Sequence, residues 1–304
     1  MSKFINPFTD YGFKLIFGRE VSKNLLIEFL NDLLEGERVI TDLTFLNNEQ
    51  LPDYPEGRGI IYDVYCTTDT GEKIIVEMQN RMQSNFKERS IFYLSRAIVN
   101  QGRTGHDWKF EIKAVYGVFL MNFIMDKNIK LRTDVILADK ETGELFSEKF
   151  RQIFIALPLF KKSEEECETN FERWIYILNN METLKRMPFK ARKAVFEKLE
   201  DIADVASMSP KERELYDNSV KVYRDYLVTM DAAEKEGIKK GMEEGLKKGL
   251  EEGLEEGLKK GLKKGREEAL NIFQTAIDMK KQGIDNQLIA EKTGLPLSLI
   301  ESLK

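Results

Sequence analysis

Three polar side chains in an otherwise apolar stretch, Asp63, Glu77 and Gln79, are of the types from which hydrolytic metal chemistry is built. They lie in Ile60 to Gln79, IIYDVYCTTDTGEKIIVEMQ, where two runs rich in β-branched and aromatic residues flank Asp69-Thr70-Gly71. A three-residue hairpin loop wants a left-handed residue at its end, and Gly71 supplies it. This turn sets Thr68 opposite Glu72, Thr67 opposite Lys73 and, stepping on by pairs, Asp63 opposite Glu77. Gln79 follows Glu77 on the same face, while Val76 and Met78 point to the other. Opposed carboxylates, with Cβ atoms about 4.5–5.5 Å apart, repel each other, and hard oxygen ligands of this kind suit Mg²⁺ or Mn²⁺. A carboxylate solvated at a sheet edge, or a register off by one or two, is the competing reading of the same spacing.

The flanking elements must hold those residues in place. In residues 4–17, FINPFTDYGFKLIF, Thr9 or Asp10 caps a short helix whose apolar side includes Phe13, Leu15, Ile16 and Phe17. Asp10 and Lys14 share one face at i and i+4, either as a weak surface ion pair or turned toward the acids. A second helix follows in VSKNLLIEFLNDLLEG, with Leu25, Leu26, Phe29, Leu30, Leu33 and Leu34 on its apolar face and Gly36 as the stop. Glu28 borders that face, a solvated acid in the simpler reading and a further metal-facing one in the sharper. VITDLTFL reads as a first or edge strand, and Asn47 to Gly59, with Pro52, Pro55, Gly57 and Gly59, as a loop.

Beyond the hairpin, NRMQSNFKERSIFYLSRAIVNQ predicts a helix burying Phe86, Phe92, Leu94 and Ile98. Its polar stripe, Arg89, Tyr93, Arg96 and Asn100, is the mix that contacts phosphates and bases, or else an ordinary solvated face. IKAVYGVFLMNFIM reads as a strand buried on both faces, and TDVILAD and FRQIFIALPLF as two more around a Thr-Gly turn. Helix, hairpin, helix and buried strand in that order predict a mixed α/β sheet covered by helices and ending near Phe160.

Composition narrows the classes. The formal net charge of -5 removes overall basicity as a sign of nucleic-acid binding, leaving only local patches. One such patch is Lys185, Arg186, Lys190, Arg192 and Lys193, whose alternative is a solvated helix face. Cys66 and Cys167 form no CxxC pair and read as buried thiols of a reduced compartment, hence a cytoplasmic location. No apolar run is long enough to span a membrane, and MSKFINPFTD lacks the layout of a secretory signal. The single histidine, His106, argues against a His-rich zinc site or a Ser-His-Asp triad and reads as solvated.

Taken together, D-Y-G-F-K-L-I-F at 10–17, D-V at 63–64, I-V-E-M-Q at 75–79 and the later Arg89 and Tyr93 resemble the recombination-promoting nuclease family, also called PD-(D/E)XK nuclease family transposases. The resemblance implies a restriction-endonuclease-like core that cuts DNA with a divalent metal, Mg²⁺ or Mn²⁺. Asp63 matches the metal-binding Asp and Glu77 the second acid, with a main-chain carbonyl near Met78 completing the metal's protein ligands. Gln79 stands where the wider superfamily has Lys. Gln is common there within the family, and its amide is neither a cation nor a general base near neutral pH, which leaves open how the attacking water is activated. Asp10 and Lys14 match an accessory N-terminal motif, and Lys14, Arg89 and Tyr93 are the DNA-contacting candidates.

From Gly237 to Gly265 a glycine recurs at every fourth position. Each four-residue repeat advances about 40° around a helix, so no heptad seam forms, and interior glycine weakens the helix. The stretch reads as an extended helical spacer, with homo-oligomerisation through the stripe or a repeat without function as its two roles. The end, IDNQLIAEKTGLPLSLIESLK, suggests two short helices around Thr293-Gly294, weakly similar to a helix-turn-helix but poor in base-reading side chains. The expected organisation is a nuclease-like core over residues 1–160, a helical extension over 161–232, the spacer over 233–268 and a small cap over 269–304. Three functions are to be weighed: a metal-dependent DNA endonuclease, recombination-promoting or tied to a mobile element; a catalytically silent DNA-binding or interaction module on the same fold; and a structural oligomer assembled through the glycine-repeat tail, which explains that tail but not the opposed acids.

Overall fold

The computed structural model describes residues 2–51, 59–103, 105, 108–190 and 193–303; His106, Arg192 and the loop residues Pro52, Pro55 and Gly57 lie outside them. The chain divides into two compact units, Met1–Tyr226 and Leu227–Lys304. In the first, helices α1 (Asp10–Phe17) and α2 (Lys23–Leu33) precede strands β1 (Leu43–Phe45), β2 (Glu49–Gln50), β3 (Ile60–Ile61), β4 (Val64–Thr68) and β5 (Lys73–Gln79). Helix α3 (Phe86–Val99) follows, then strands β6 (Val115–Met121), β7 (Arg132–Ala138) and β8 (Leu145–Ala156), and helices α4 (Asn170–Asn180) and α5 (Val195–Ala203). Helix α6 (Pro210–Lys281) crosses the boundary between the units, and α7 (Asn286–Thr293) and α8 (Leu297–Ser302) close the second.

Six strands form one mixed sheet in the order β1-β4-β5-β6-β8-β7. β5, β6 and β8 run parallel, and β1, β4 and β7 pair antiparallel with their neighbours. Both faces are covered, which is why β6 is buried along its whole length and reads as a continuous apolar run. On one face Val64, Cys66, Ile74, Val76, Val118 and Ile155 meet α1, α2, α4 and α5 around Trp174. On the other Tyr65, Ile75, Phe119 and Phe154 meet Phe86, Leu94 and Ala97 of α3. The strict alternation along β5 therefore sends Glu77 and Gln79 to the α3 side.

Two local expectations change. Helix α3 opens at Phe86 instead of Asn80, because tertiary contacts hold the chain after β5 in a loop: Asn80 Nδ2 donates to the Phe8 carbonyl, and the Asn80 carbonyl accepts from the Tyr226 hydroxyl at 3.1 Å. Phe92 is 49 % exposed. The buried stripe of α3 is Phe86, Ser90, Leu94 and Ala97, and six residues at about 100° each carry Phe92 off it.

α1 starts as its sequence predicts, Thr9 Oγ1 accepting from the Gly12 N–H at 3.0 Å. Gly12 packs against the preceding chain so closely that a methyl group there would collide with the Asn6 carbonyl oxygen and lie 2.7 Å from Thr9 Oγ1. In the second unit the glycine repeat is a continuous exposed helix, with Glu-Lys pairs at i, i+4 such as Glu236–Lys240 and Glu255–Lys259. Its end packs on α7 and α8 through Ala276, Ile289 and Ile300.

Two consequences follow for stability. Gly12→Ala should cost about 1–3 kcal/mol, read as a lower urea midpoint at unchanged slope; an unshifted midpoint would show that the N-terminal loop yields freely. Replacing Gly245, Gly249 and Gly253 with Ala puts each new methyl in open space and removes about 0.8–1 kcal/mol of helix penalty per site. Far-UV circular dichroism should show the tail melting later, whereas earlier melting would mean the glycines sit against another chain in solution.

Candidate active site

β4 and β5 pair in the register that the turn predicts: Thr67 faces Lys73, Cys66 faces Ile74 and Val64 faces Val76. Gly71 takes a φ of 92°, donating its N–H to the Thr68 carbonyl at 3.0 Å. The next residues outward are Asp63 and Glu77. They meet without a backbone ladder bond, since the Asp63 N–H donates to Glu77 Oε1 at 3.0 Å and the Met78 N–H donates to Asp63 Oδ2 at 2.9 Å.

The hairpin is shorter than its apolar run suggests. Ile60–Ile61 leaves β5 and pairs with Glu49–Gln50, a strand inside the segment expected to be a loop. The switch occurs at Tyr62 and Asp63. Tyr62 buries its ring against Tyr65 and Tyr93 at 4.9 and 5.5 Å between centroids, and its hydroxyl donates to the Tyr93 carbonyl. Asn48 then takes both neighbouring backbone positions, its carbonyl accepting from the Tyr62 N–H and its side-chain amide donating to the Asp63 carbonyl, each at 3.0 Å. Side-chain partners thus replace ladder partners at the acid itself. Asn48 was not singled out from the sequence, and its place in an irregular segment gave no periodic signal for it.

Glu77 is only 2 % exposed. Burial, and then the charge of Asp63, push its pKa up. Burial also raises Asp63, opposed by the Met78 N–H and the charge of Lys14. No ion pair reaches either carboxylate among the described residues, and no group of three or more His, Cys, Asp or Glu gathers there. The cations stand one step back. Lys14 is paired with Asp10 at 2.7 Å, the helix ion pair of the simpler reading, and the charge of Lys14 lowers the Asp63 pKa while that of Asp10 raises it.

Gln79 is bound at both ends of its amide. Its Nε2 donates to Glu77 Oε2 at 2.9 Å, and its Oε1 accepts from Arg89 Nη2 at 2.8 Å. Because Arg89 can only donate, the amide orientation is fixed. Arg89 is braced in turn by Gln83 Oε1 and by the rings of Tyr93 and Phe86. The remaining polar stripe of α3 is used internally as well: Arg96 donates to the Leu51 carbonyl and Asn100 to Gln50 Oε1, fastening the segment that carries β2. Glu28 is remote from this chemistry, paired with Lys193 at 2.7 Å beside Asp32. Of the second basic cluster, Arg186 pairs with Glu164 and Lys190 with Glu200, which leaves little of it for phosphate.

An acid pair where β4 and β5 part, inside a helix-covered mixed sheet, can be set beside known proteins. The family model for the PD-(D/E)XK nuclease family transposase matches residues 7–233. The chain belongs to that family. No curated protein and no solved structure matches it. The mixed sheet flanked by helices agrees with the PD-(D/E)XK fold, and the match runs through both sheet faces and into α6.

The donor chemistry suits the divalent metal that PD-(D/E)XK nucleases generally use. Two adjacent carboxylates without a cation in contact resist ionising together, which is part of what raises the Glu77 pKa. Two are also the number with which Mg²⁺ is commonly held, its other positions going to water and substrate phosphate. Removing the brace should be measurable without any substrate. Arg89→Ala leaves Gln79 Oε1 buried and unpaired and should lower unfolding free energy by about 2 kcal/mol, read by urea titration; a change under about 0.5 kcal/mol would mean Gln79 finds another donor.

Proposed function

We propose that this chain is a divalent-metal-dependent DNA endonuclease that hydrolyses phosphodiester bonds, promoting recombination or serving a mobile element. The observation that carries the proposal is the mutually repelling pair of partly buried Asp63 and buried Glu77, on a sheet of the nuclease family, met by backbone and amide donors and by no counter-ion among the described residues. Asp63, Glu77 and a main-chain carbonyl near Met78 would hold Mg²⁺ or Mn²⁺, which when bound would supply a water of lowered pKa and positive charge against that building on the phosphate.

The side chains around it orient and compensate. Gln79 holds Glu77 through Nε2 and cannot itself take a proton near neutral pH, so its role is positional. Arg89 and Lys14 supply positive charge toward the acids and toward a phosphate lying over them, and Asp10 steadies Lys14. Tyr93 supports Arg89 from below. No described helix is long and apolar enough to cross a membrane, and the buried, unpaired Cys66 and Cys167 suit a reducing compartment such as the cytoplasm.

The second reading, a silent DNA-binding or interaction module, is favoured by one observation: the position where the wider superfamily has Lys holds an amide already engaged by Glu77 and Arg89. A plasmid-nicking assay separates the two. In Mg²⁺ or Mn²⁺ the chain should nick and a chelator should stop it, while Asp63→Ala and Glu77→Ala should each lower the rate at least about 100-fold. Nicking that survives both substitutions sinks the site, and DNA binding without any cutting supports the second reading.

A further inference from the structure

Lys73 and Gln79 are the two ends of β5, about 20 Å apart, and the chain gathers a different set of side chains at the Lys73 end. An open cleft of about 880 Å³ is lined there by Lys73, Arg103, Lys113 and Lys149 together with Trp108 and Phe110. None of the four cations is ion-paired with a described carboxylate. Among the described residues Glu111 is the one acid in the lining. In a chain of net charge -5 this is a local excess of positive charge. Burial pushes the Lys73 pKa down, as expected of a cation without an anion beside it. The C-terminal end of α3 also lies at this cleft, through Asn100 and Gln101, but its partial charge of about -0.5 cannot balance four cations.

The aromatic part is built into the wall. Trp108 sits over Gly102, where a methyl would lie 3.7 Å from its ring, and Phe110 stacks obliquely on Trp108 at 4.6 Å between centroids. Phe110 is 77 % exposed and takes a φ of 58°, a strained conformation for a bulky residue that turns an apolar ring outward. Gln101 clamps the next stretch, its Oε1 accepting from the Lys113 N–H at 2.8 Å and its Nε2 donating to the Lys113 carbonyl at 3.2 Å. Exposed rings beside unpaired cations recognise an anionic strand that carries flat, stackable groups.

We infer that this cleft binds a single-stranded polynucleotide, with a base stacked on Phe110 and Trp108 and backbone phosphates on Lys73, Arg103, Lys113 and Lys149. The site is separate from the acid pair. It deepens the nuclease reading by giving the substrate a second hold, and it rests on that reading only in naming a polynucleotide.

The chain has two tryptophans, and Trp174 is fully buried in the other face of the sheet. Tryptophan emission therefore reports the occupancy of Trp108. The full chain carrying Asp63→Asn, so that the strand is not consumed, is titrated with an oligothymidylate of about ten nucleotides while strand anisotropy is followed in parallel. Saturable quenching should coincide with the anisotropy change and weaken with salt. Phe110→Ala should weaken binding about tenfold, and Lys149→Gln should reduce the salt slope by about 0.7, with circular dichroism verifying that both variants are folded. Binding without quenching, no binding at all, or unchanged affinity in both variants overturns the inference. So does equal quenching by thymidine monophosphate or by polyglutamate, which would assign the cleft to a free nucleotide or an acidic peptide. Wild-type nicking without quenching sinks this cleft alone, and quenching without nicking sinks the nuclease reading alone.

Discussion

The arrangement at this end of β4 and β5 depends on keeping two carboxylates together, one partly and one almost wholly out of water. Burial of an unpaired ion costs several kcal/mol even after relaxation, and a second like charge adds to it. The chain meets that cost with donors instead of counter-ions. The Asp63 N–H, the Met78 N–H and the Gln79 amide all point at the pair, each a charge-assisted bond worth about 1.5–3 kcal/mol. Lys14 and Arg89 lower the acids' pKa values from a distance while their own bonds go to Asp10, Gln79 and Gln83. The net upward shift of Glu77 and Asp63 shows that these donors offset the cost incompletely. The strain of such a pair is of the kind that either a proton or a bound cation relieves.

Gln79 gains meaning from the same constraint. A Lys at this position would put an ammonium between Glu77 and the Arg89 guanidinium, two cations competing for one carboxylate oxygen. The amide resolves this by accepting from one neighbour and donating to the other, so Arg89, Gln79 and Glu77 are joined with one polarity, and the Asp63 N–H donates to Glu77 from the opposite side. Positive charge is still present, moved from the strand to the first turns of α3 and held by the stack on Tyr93 and Phe86. This places the cation on a packed helix, where its position depends on the α3 face of the core.

The acid pair was legible in the sequence because a strand's period of two propagates from a fixed point. Once Gly71 set the loop, Thr67 against Lys73 determined everything out to Glu77. The same rule failed at Ile60 and Ile61, whose side chains suit a strand but whose pairing partner is chosen by Tyr62 burial and by Asn48. Neither is periodic. Phe92 misled for a related reason: in a helix that covers only one sheet face, composition indicates that apolar residues are plentiful, but the position of Phe86 and Leu94 decides which stripe is inside. The polar stripe of α3 was correctly picked out as one face. Its role was not readable, since Arg96 and Asn100 find their partners in Leu51 and Gln50, far away in sequence.

The tail obeys a different balance. Eight interior glycines weaken a helix by about 6–8 kcal/mol in total relative to alanine, and exposed Glu-Lys pairs return only a few tenths each. With the residues from Ile238 to Leu262 that follow those glycines all exposed, no side-chain packing makes up the difference along the repeat. Compensation is concentrated at its end, where Ala276 packs on Ile289 and Ile300 and the Lys280 ammonium donates to the carbonyls of Ile300, Glu301 and Leu303. One side chain of α6 thereby serves the C-terminal carbonyls of α8, of which that of Ile300 also accepts from the Leu303 N–H. A helix of this composition propagates from a packed terminus more readily than it nucleates, so the small cap contributes to the order of the repeat before it.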